Sequence, residues 1–365
     1  MRRSLEPGRP LVVKVGSSSL APGGGGLDAD AVGRIVDQVA SSWDRGHPTV
    51  LVSSGAVAAG IPVLGSRPTD LPGFQVAAAV GQSRLMERYT ARFAERGLTA
   101  GQVLLTKDVL ANRQQYLNAR ETLSRMLALG VVPIVNENDS VGVEELRFGD
   151  NDRLAAMVSH LAGAGMLILL TDTPGLYSGD PRFDAAAELI IAVRHTDEAL
   201  DEVVQGASGP LGSGGVATKV AAARMAAWSG VPTVIASARE PDVVARAVAG
   251  EEIGTWINPH DTALPARKLW IAFGQPAEGQ LTVDAGAASA LVDRGKSLLA
   301  VGITEVTGHF DQGAAVEVNS TDGQLLAKGL VEYSSTGLRA MAGKPSTDAG
   351  GVAIHRDHLV VLRGG

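Results

Sequence analysis

The chain has 365 residues, a formal net charge of −7 and no cysteine. That length predicts two or three domains with enough apolar sequence for a sizeable core. The acidic balance excludes a general nucleic-acid or membrane-surface binder, and the lack of thiols excludes disulfide frameworks, thiolate metal sites and cysteine nucleophiles.

Taken in order, Met1-Arg-Arg leads into polar sequence rather than an apolar signal core, and no uninterrupted apolar stretch approaches membrane length. A soluble, cytoplasmic protein is expected. Leu11-Val-Val-Lys-Val15 is an apolar run of strand length that ends on Gly16 and three serines, which force a turn. Asp28 then caps a helix whose Val32, Ile35, Val36, Val39 and Trp43 share one face, and Gly46 closes it. Thr49–Val52 reads as the second strand, leading through Ser53-Ser-Gly-Ala56 into a helix of small residues. Helices follow at Gln75–Arg96, Arg113–Leu129, Leu154–Ala162 and Val216–Trp228. Strands are expected at Thr99–Leu105, Val131–Val135, Leu167–Thr171 and Pro232–Ala236. Apolar strands alternating with amphipathic helices predict an α/β fold, a parallel sheet covered on both faces in three layers. Near Asn258–Pro265 the pattern gives way to polar, proline-bearing sequence. Residues 1–259 therefore form one expected domain, 260–267 a linker, and 268–365 a small β-rich domain of short alternating segments with one helix near Ala287–Asp293.

In such sheets ligands gather at the carboxyl ends of the strands. Lys14 lies inside the first strand, where a lysine is costly unless an anion meets it or its stem reaches water. Ser54 and Gly55 at a helix start suit an anion, though a capping serine fits as well. Asn136-Glu-Asn-Asp139 and Gly149-Asp-Asn-Asp152 flank one strand–helix unit. Their density of carboxylates and amides suits an ammonium group or a cation, and turn and cap roles are the alternative. Thr171-Asp172 ends another strand. Gly212-Ser-Gly-Gly-Val-Ala-Thr-Lys219 opens a helix with a lysine in its first turn, which suits a polyphosphate; a surface loop is the other reading. Neither a dinucleotide fingerprint nor a Walker loop fits that segment, because no strand precedes it and its lysine follows no glycine.

Together these pieces, with Val80-Gly-Gln-Ser-Arg84 and Leu117-Asn-Ala-Arg120, resemble the amino-acid kinase family from about Leu11 to Ala236. Within that family they are similar to the branch that phosphorylates the γ-carboxylate of L-glutamate at the head of proline biosynthesis. Ser213 and Val216 stand where that branch usually has threonine and methionine. The resemblance implies Lys14, Lys219 and Asp152 as catalytic residues, with Asp152 holding the lysines, and Ser54, Asp139 and Asn151 as glutamate-binding. It implies Lys14, Thr171, Asp172, Ser213, Gly214, Gly215, Val216, Ala217, Thr218 and Lys219 at the ATP site. Mg²⁺ on the phosphates, no dedicated metal-ligand cage, homo-oligomers, L-proline as feedback inhibitor and coupling to glutamate 5-semialdehyde dehydrogenase are implied too. Gly308-His-Phe-Asp-Gln-Gly313, Gly323, Ala327, Gly329 and Tyr333-Ser resemble a PUA module. RNA binding is not expected of it, since residues 268–365 carry 8 Lys+Arg against 10 Asp+Glu.

Overall fold

The computed structural model describes residues 2–21, 26–106, 109, 112–141, 150–197, 199–206, 213–344 and 351–362. Gly149 and Gly212, at the heads of two expected motifs, and most of the Gly23–Gly26 run lie outside the described residues. Contacts divide the chain into two units, Met1–Ala263 and Leu264–Gly365.

The first unit is built on an eight-stranded sheet. Its strands are β1 (Leu11–Val15), β2 (Thr49–Ser53), β3 (Thr99–Leu105), β4 (Val131–Glu137), β5 (Met166–Thr171), β6 (Ala192–Arg194), β7 (Thr233–Ser237) and β8 (Thr255–Asn258). They run in the order β3-β4-β2-β1-β5-β7-β8-β6. Helices α1 (Ser17–Leu20), α2 (Ala29–Asp44), α3 (Ala56–Leu64), α4 (Leu71–Glu95), α5 (Arg113–Ala128), α6 (Asp150–Leu161), α7 (Ala199–Gly206), α8 (Ser213–Trp228) and α9 (Val243–Val248) connect them.

β1 lies between β2 and β5, so Lys14 is flanked by Val52 and Leu169. Strand side chains alternate between faces. Leu11, Val13 and Val15 join Val32, Val36, Leu85, Tyr89, Phe93 and Val244 in a core formed with α2, α4 and α9. Val12 and Lys14 turn to the opposite face, where α6 packs. The expected cap at Asp28 holds: its Oδ1 accepts from the backbone N–H groups of Asp30 and Ala31 at 2.8 and 3.1 Å. Asp70 starts α4 four residues before the predicted helix does.

The sheet is mostly parallel, with one departure: β8 runs antiparallel to β7, and β6 pairs parallel with β8. Both strands are short, three and four residues, too little alternation to stand out from the polar sequence around them. The Arg2 guanidinium pins this corner, donating to the carbonyls of Ile191, Glu251 and Gly254 at 2.7, 2.8 and 2.7 Å.

The second unit holds a five-stranded sheet, β11-β9-β12-β13-β15, and a two-stranded one, β10-β14. Its strands are β9 (Gly279–Val283), β10 (Leu298–Leu299), β11 (Ile303–Gly308), β12 (Ala315–Ser320), β13 (Leu325–Leu330), β14 (Val352–Ile354) and β15 (Leu359–Val361). Leu281, Val283, Leu291, Phe310, Val316, Val318 and Ile354 fill its core. Val331–Tyr333, one of the expected short alternating segments, is not a strand. It bends instead toward a helix capped by Ser334, whose hydroxyl accepts from the Gly337 N–H.

Helices α3 and α4 touch backbone to backbone. A Cβ at Gly81 would sit 1.8 Å from the Ala56 carbonyl oxygen, and one at Gly60 would sit 2.0 Å from that of Ala77. Main chain cannot rotate away as a side-chain tip can, so Gly81→Ala must push the helices apart. We expect a loss of about 3 kcal/mol or more in denaturant unfolding, at the upper end of overpacking costs; an unchanged midpoint would show that the helices part freely.

Candidate active site

The sheet brings most of the expected site residues to one edge. β1 ends at Val15 and β2 at Ser53, and the Ser54 N–H donates to the Val15 carbonyl at 3.1 Å, tying the two strand ends together. Gly55 is the N-cap of α3 with φ +106, a left-handed conformation that favours glycine. No side chain caps that helix. Ser54 is therefore not a capping serine, and its hydroxyl accepts from Asn151 Nδ2 at 2.9 Å.

Asp152 lies in the first turn of α6 and is fully buried. Its carboxylate does not cap the helix. Lys14 Nζ meets Oδ1 at 2.6 Å, while Lys219 Nζ stands 3.3 Å from Oδ2. The Thr218 hydroxyl donates to Oδ2 at 2.9 Å. Lys219 also donates to the Gly215 carbonyl at 3.2 Å, which folds its stem back over the first turn of α8. Lys14 is 4% exposed, so its charge is held away from water. Burial pushes the Lys14 ammonium below the usual lysine range, and Lys219 pushes the same way against Asp152. Burial alone would raise the Asp152 carboxyl. The two ammonium groups and the bonds from Lys14 and Thr218 outweigh it and hold the carboxyl below its ordinary value. Among the described residues two cations thus share one anion, an excess positive charge that a phosphoryl group can match.

Beside it runs a chain of amides. Asn151 Nδ2 also donates to Asn136 Oδ1 at 2.9 Å and to the Ser53 carbonyl at 3.3 Å. Asn136 Nδ2 donates to Gln82 Oε1, on α4, at 2.8 Å. Asp139 begins a 3-10 turn, Asp139–Val141, just past the end of β4, and that turn packs on α4. Thr171 ends β5, and its hydroxyl donates to Asp172 Oδ1 at 3.1 Å. Neither Thr171 nor Asp172 hydrogen-bonds α8 among the described residues. Ser213, Gly214, Gly215, Val216, Ala217 and Thr218 form the start of α8, with the side chains of the first two not described.

Gln82 is the site residue that sequence reasoning missed. Val80–Arg84 stood out as a motif, but within a long helix a glutamine reads as surface, and only the fold shows it 9% exposed against Asn136.

A covered, mostly parallel sheet with a lysine at its central strand and a carboxylate shared between two ammonium groups defines a phosphotransferase scaffold. The chain belongs to the amino acid kinase family, whose model matches residues 9–237; a PUA domain model matches residues 279–349. Along its whole length it is similar to glutamate 5-kinases. That of Trichlorobacter lovleyi is 46% identical, covering 99% of each chain. That of Chromohalobacter salexigens is 48% identical over 99% of this chain and 98% of its own, and that of Azoarcus sp. strain BH72 is 47% identical over 99% and 100%. The family implies ATP as phosphoryl donor.

Asp152→Asn removes a fully buried anion that meets the buried Lys14 and the half-buried Lys219, and breaking such a cluster costs about 3–5 kcal/mol. The native carboxyl is depressed, so its contribution is present above the ordinary carboxylate range and fades as pH falls through the native value. We expect the stability gap between native and Asp152→Asn proteins, measured by urea unfolding, to be largest near neutrality and to narrow in acid. A gap independent of pH would show that the ion pairs do not set it.

Proposed function

We infer that this chain transfers the γ-phosphoryl group of ATP to the γ-carboxylate of L-glutamate, forming glutamyl 5-phosphate and ADP at the head of proline biosynthesis. The observation that supports this most directly is Asp152, fully buried with a lysine on each oxygen. The acceptor is itself an ionised carboxylate and needs no general base. Asp152, held deprotonated by its partners, is a positioning group and takes no proton.

What remains for the protein is alignment and charge neutralisation, the main tasks in phosphoryl transfer. Lys14 approaches the moving phosphoryl from the β1 side and Lys219 from the nucleotide side, each aimed by Asp152. Ser54, Asn151 and Asp139 hold glutamate, with the Asp139 carboxylate suited to the substrate ammonium. Lys14, Thr171, Asp172 and Ser213–Lys219 hold ATP, whose phosphates meet the N–H groups at the start of α8. Mg²⁺ usually takes few protein ligands and keeps phosphate and water oxygens. Among the described residues no group of three or more histidine, aspartate or glutamate side chains is placed to hold a metal ion. Such a cation would offset charge on the phosphates.

We assign this chemistry to residues 1–259, with 260–267 a linker and 268–365 a separate module. Among the described residues no helix is long and apolar enough to cross a membrane, and we propose a cytoplasmic homo-oligomer. An acyl phosphate hydrolyses readily in water, which favours coupling to glutamate 5-semialdehyde dehydrogenase.

ADP release measured against glutamate, acetylglutamate, aspartate and UMP tests the substrate; turnover of another acid in preference to glutamate would overturn the reading. Lys14→Ala and Lys219→Ala should each lower kcat by about 10²–10³ with smaller changes in the KM for glutamate, the usual cost of one preorganised donor. Lys14→Arg should not restore the rate, because a planar fork does not replace a point charge. An unchanged kcat in either alanine variant would remove the lysines from the mechanism. L-proline carries the same α-carboxylate and ammonium pattern as glutamate, so it should inhibit and be relieved by glutamate. Inhibition that glutamate does not relieve would point to a separate site.

A further inference from the structure

We propose that Gln82 binds the α-carboxylate of the amino-acid substrate and is a specificity-determining residue of the site, a reading that rests on the glutamate assignment above. The argument begins at a backbone group. An amide side chain can be turned end for end, but the N–H of Glu137 can only donate, and it points at Asn136 Oδ1 at 2.9 Å. Asn136 must therefore present its oxygen there, which leaves its Nδ2 to face Gln82. Gln82 must then offer Oε1 to Asn136, and its Nε2 points elsewhere. In the other direction, Asn136 Oδ1 also receives Asn151 Nδ2, so Asn151 Oδ1 is turned away as an acceptor. One backbone N–H thus fixes three amides.

The two ends of this chain are both buried and both lack a hydrogen-bond partner among the described residues: Gln82 Nε2 and Asn151 Oδ1. Buried polar atoms without partners are rare, because each costs about 1–3 kcal/mol. One end is a pure donor and the other a pure acceptor. An α-amino acid supplies their complements, a carboxylate that accepts and an ammonium that donates. Distance along the chain decides which carboxylate. Asn151 adjoins Asp152 and the two lysines, whereas Gln82, on a helix of the opposite layer, is the end remote from the phosphoryl group. The γ-carboxylate belongs beside the lysines, so Gln82 Nε2 takes the α-carboxylate.

The test compares two ligands on two proteins. 4-Aminobutyrate keeps the reacting carboxylate and the ammonium of glutamate but lacks its α-carboxylate. Calorimetric binding of L-glutamate should weaken by about 10- to 100-fold in Gln82→Met, the range for losing a hydrogen bond to a charged group. Binding of 4-aminobutyrate, read directly or by competition with glutamate, should change less than about threefold. Gln82→Glu, which sets an anion against the carboxylate, should weaken glutamate further while leaving 4-aminobutyrate unharmed. Equal weakening of both ligands would overturn the proposal and leave Gln82 as a prop for Asn136; unchanged glutamate binding would overturn it too. Urea unfolding of each variant checks that the helix contact at Gly81 survives. Binding does not require turnover, so failure of the native protein to phosphorylate glutamate would refute the assigned reaction while the binding ratios still judge Gln82.

Discussion

The structure depends on a charge imbalance around Asp152. A lone lysine buried at the end of β1 would surrender its proton or force water inward, and a lone buried aspartate would protonate. Paired, each keeps the other charged, and among the described residues Lys219 adds a second cation to the same carboxylate. The surplus cannot be relaxed by rotating Lys14 into water, because the strand is covered by α6 on that side and held between β2 and β5. On the proposed reaction, the phosphoryl group is the anion that completes the set. A site arranged this way has already met the cost of desolvating and orienting its charges during folding, so little reorganisation is left for the chemical step.

Topology makes the imbalance possible. Strand order turns at β1, with β2 and β4 on one side and β5 and β7 on the other, so that their carboxyl ends converge on a single crevice. Odd positions of β1 fill the core against α2, α4 and α9, and a shift of one residue would send Lys14 into that core. α6 starts on the opposite face with Asp152 in its first turn, where the positive end of the helix dipole also favours a carboxylate. The same packing that excludes water from the strand thus aims the aspartate at its lysine.

Much of this could be read in the sequence. The Leu11–Val15 run, the Asp28 cap and the clusters at Asn136–Asp139 and Asn151–Asp152 each have a local signature of periodicity or turn chemistry. Lys14 stood out because a charge interrupts an apolar strand, and Lys219 because it follows a glycine-rich start. β6 and β8 did not, since strands of three and four residues have no pattern of their own and depend on their neighbours for pairing. Gln82 was hidden for a different reason. The Val80–Arg84 stretch marks a helix, but whether its glutamine meets water or Asn136 is decided by how closely α3 and α4 approach. That approach rests on two glycines, Gly60 and Gly81, separated by α4's own cap and first turns. A contact of that range leaves no local trace.

The hydrogen-bond partners described for Asn151 are neutral, the Ser53 carbonyl, Ser54 and Asn136, and Asn136 leads on to the neutral Gln82. That choice follows from the lysine pair. A guanidinium beside Asn151 would hold a carboxylate more strongly than an amide does, but it would add a third cation to a cluster already in surplus. It would lower the Lys14 pKa further, and it would grip product as firmly as substrate. Binding that is equal in ground and transition state lowers KM without raising kcat. Amides whose direction is fixed by a backbone N–H give orientation without charge. On the proposed assignment, the full electrostatic contrast is left to the phosphoryl group, whose charge shifts as it transfers, and the acceptor would be held in line by hydrogen bonds weak enough to release an acyl phosphate.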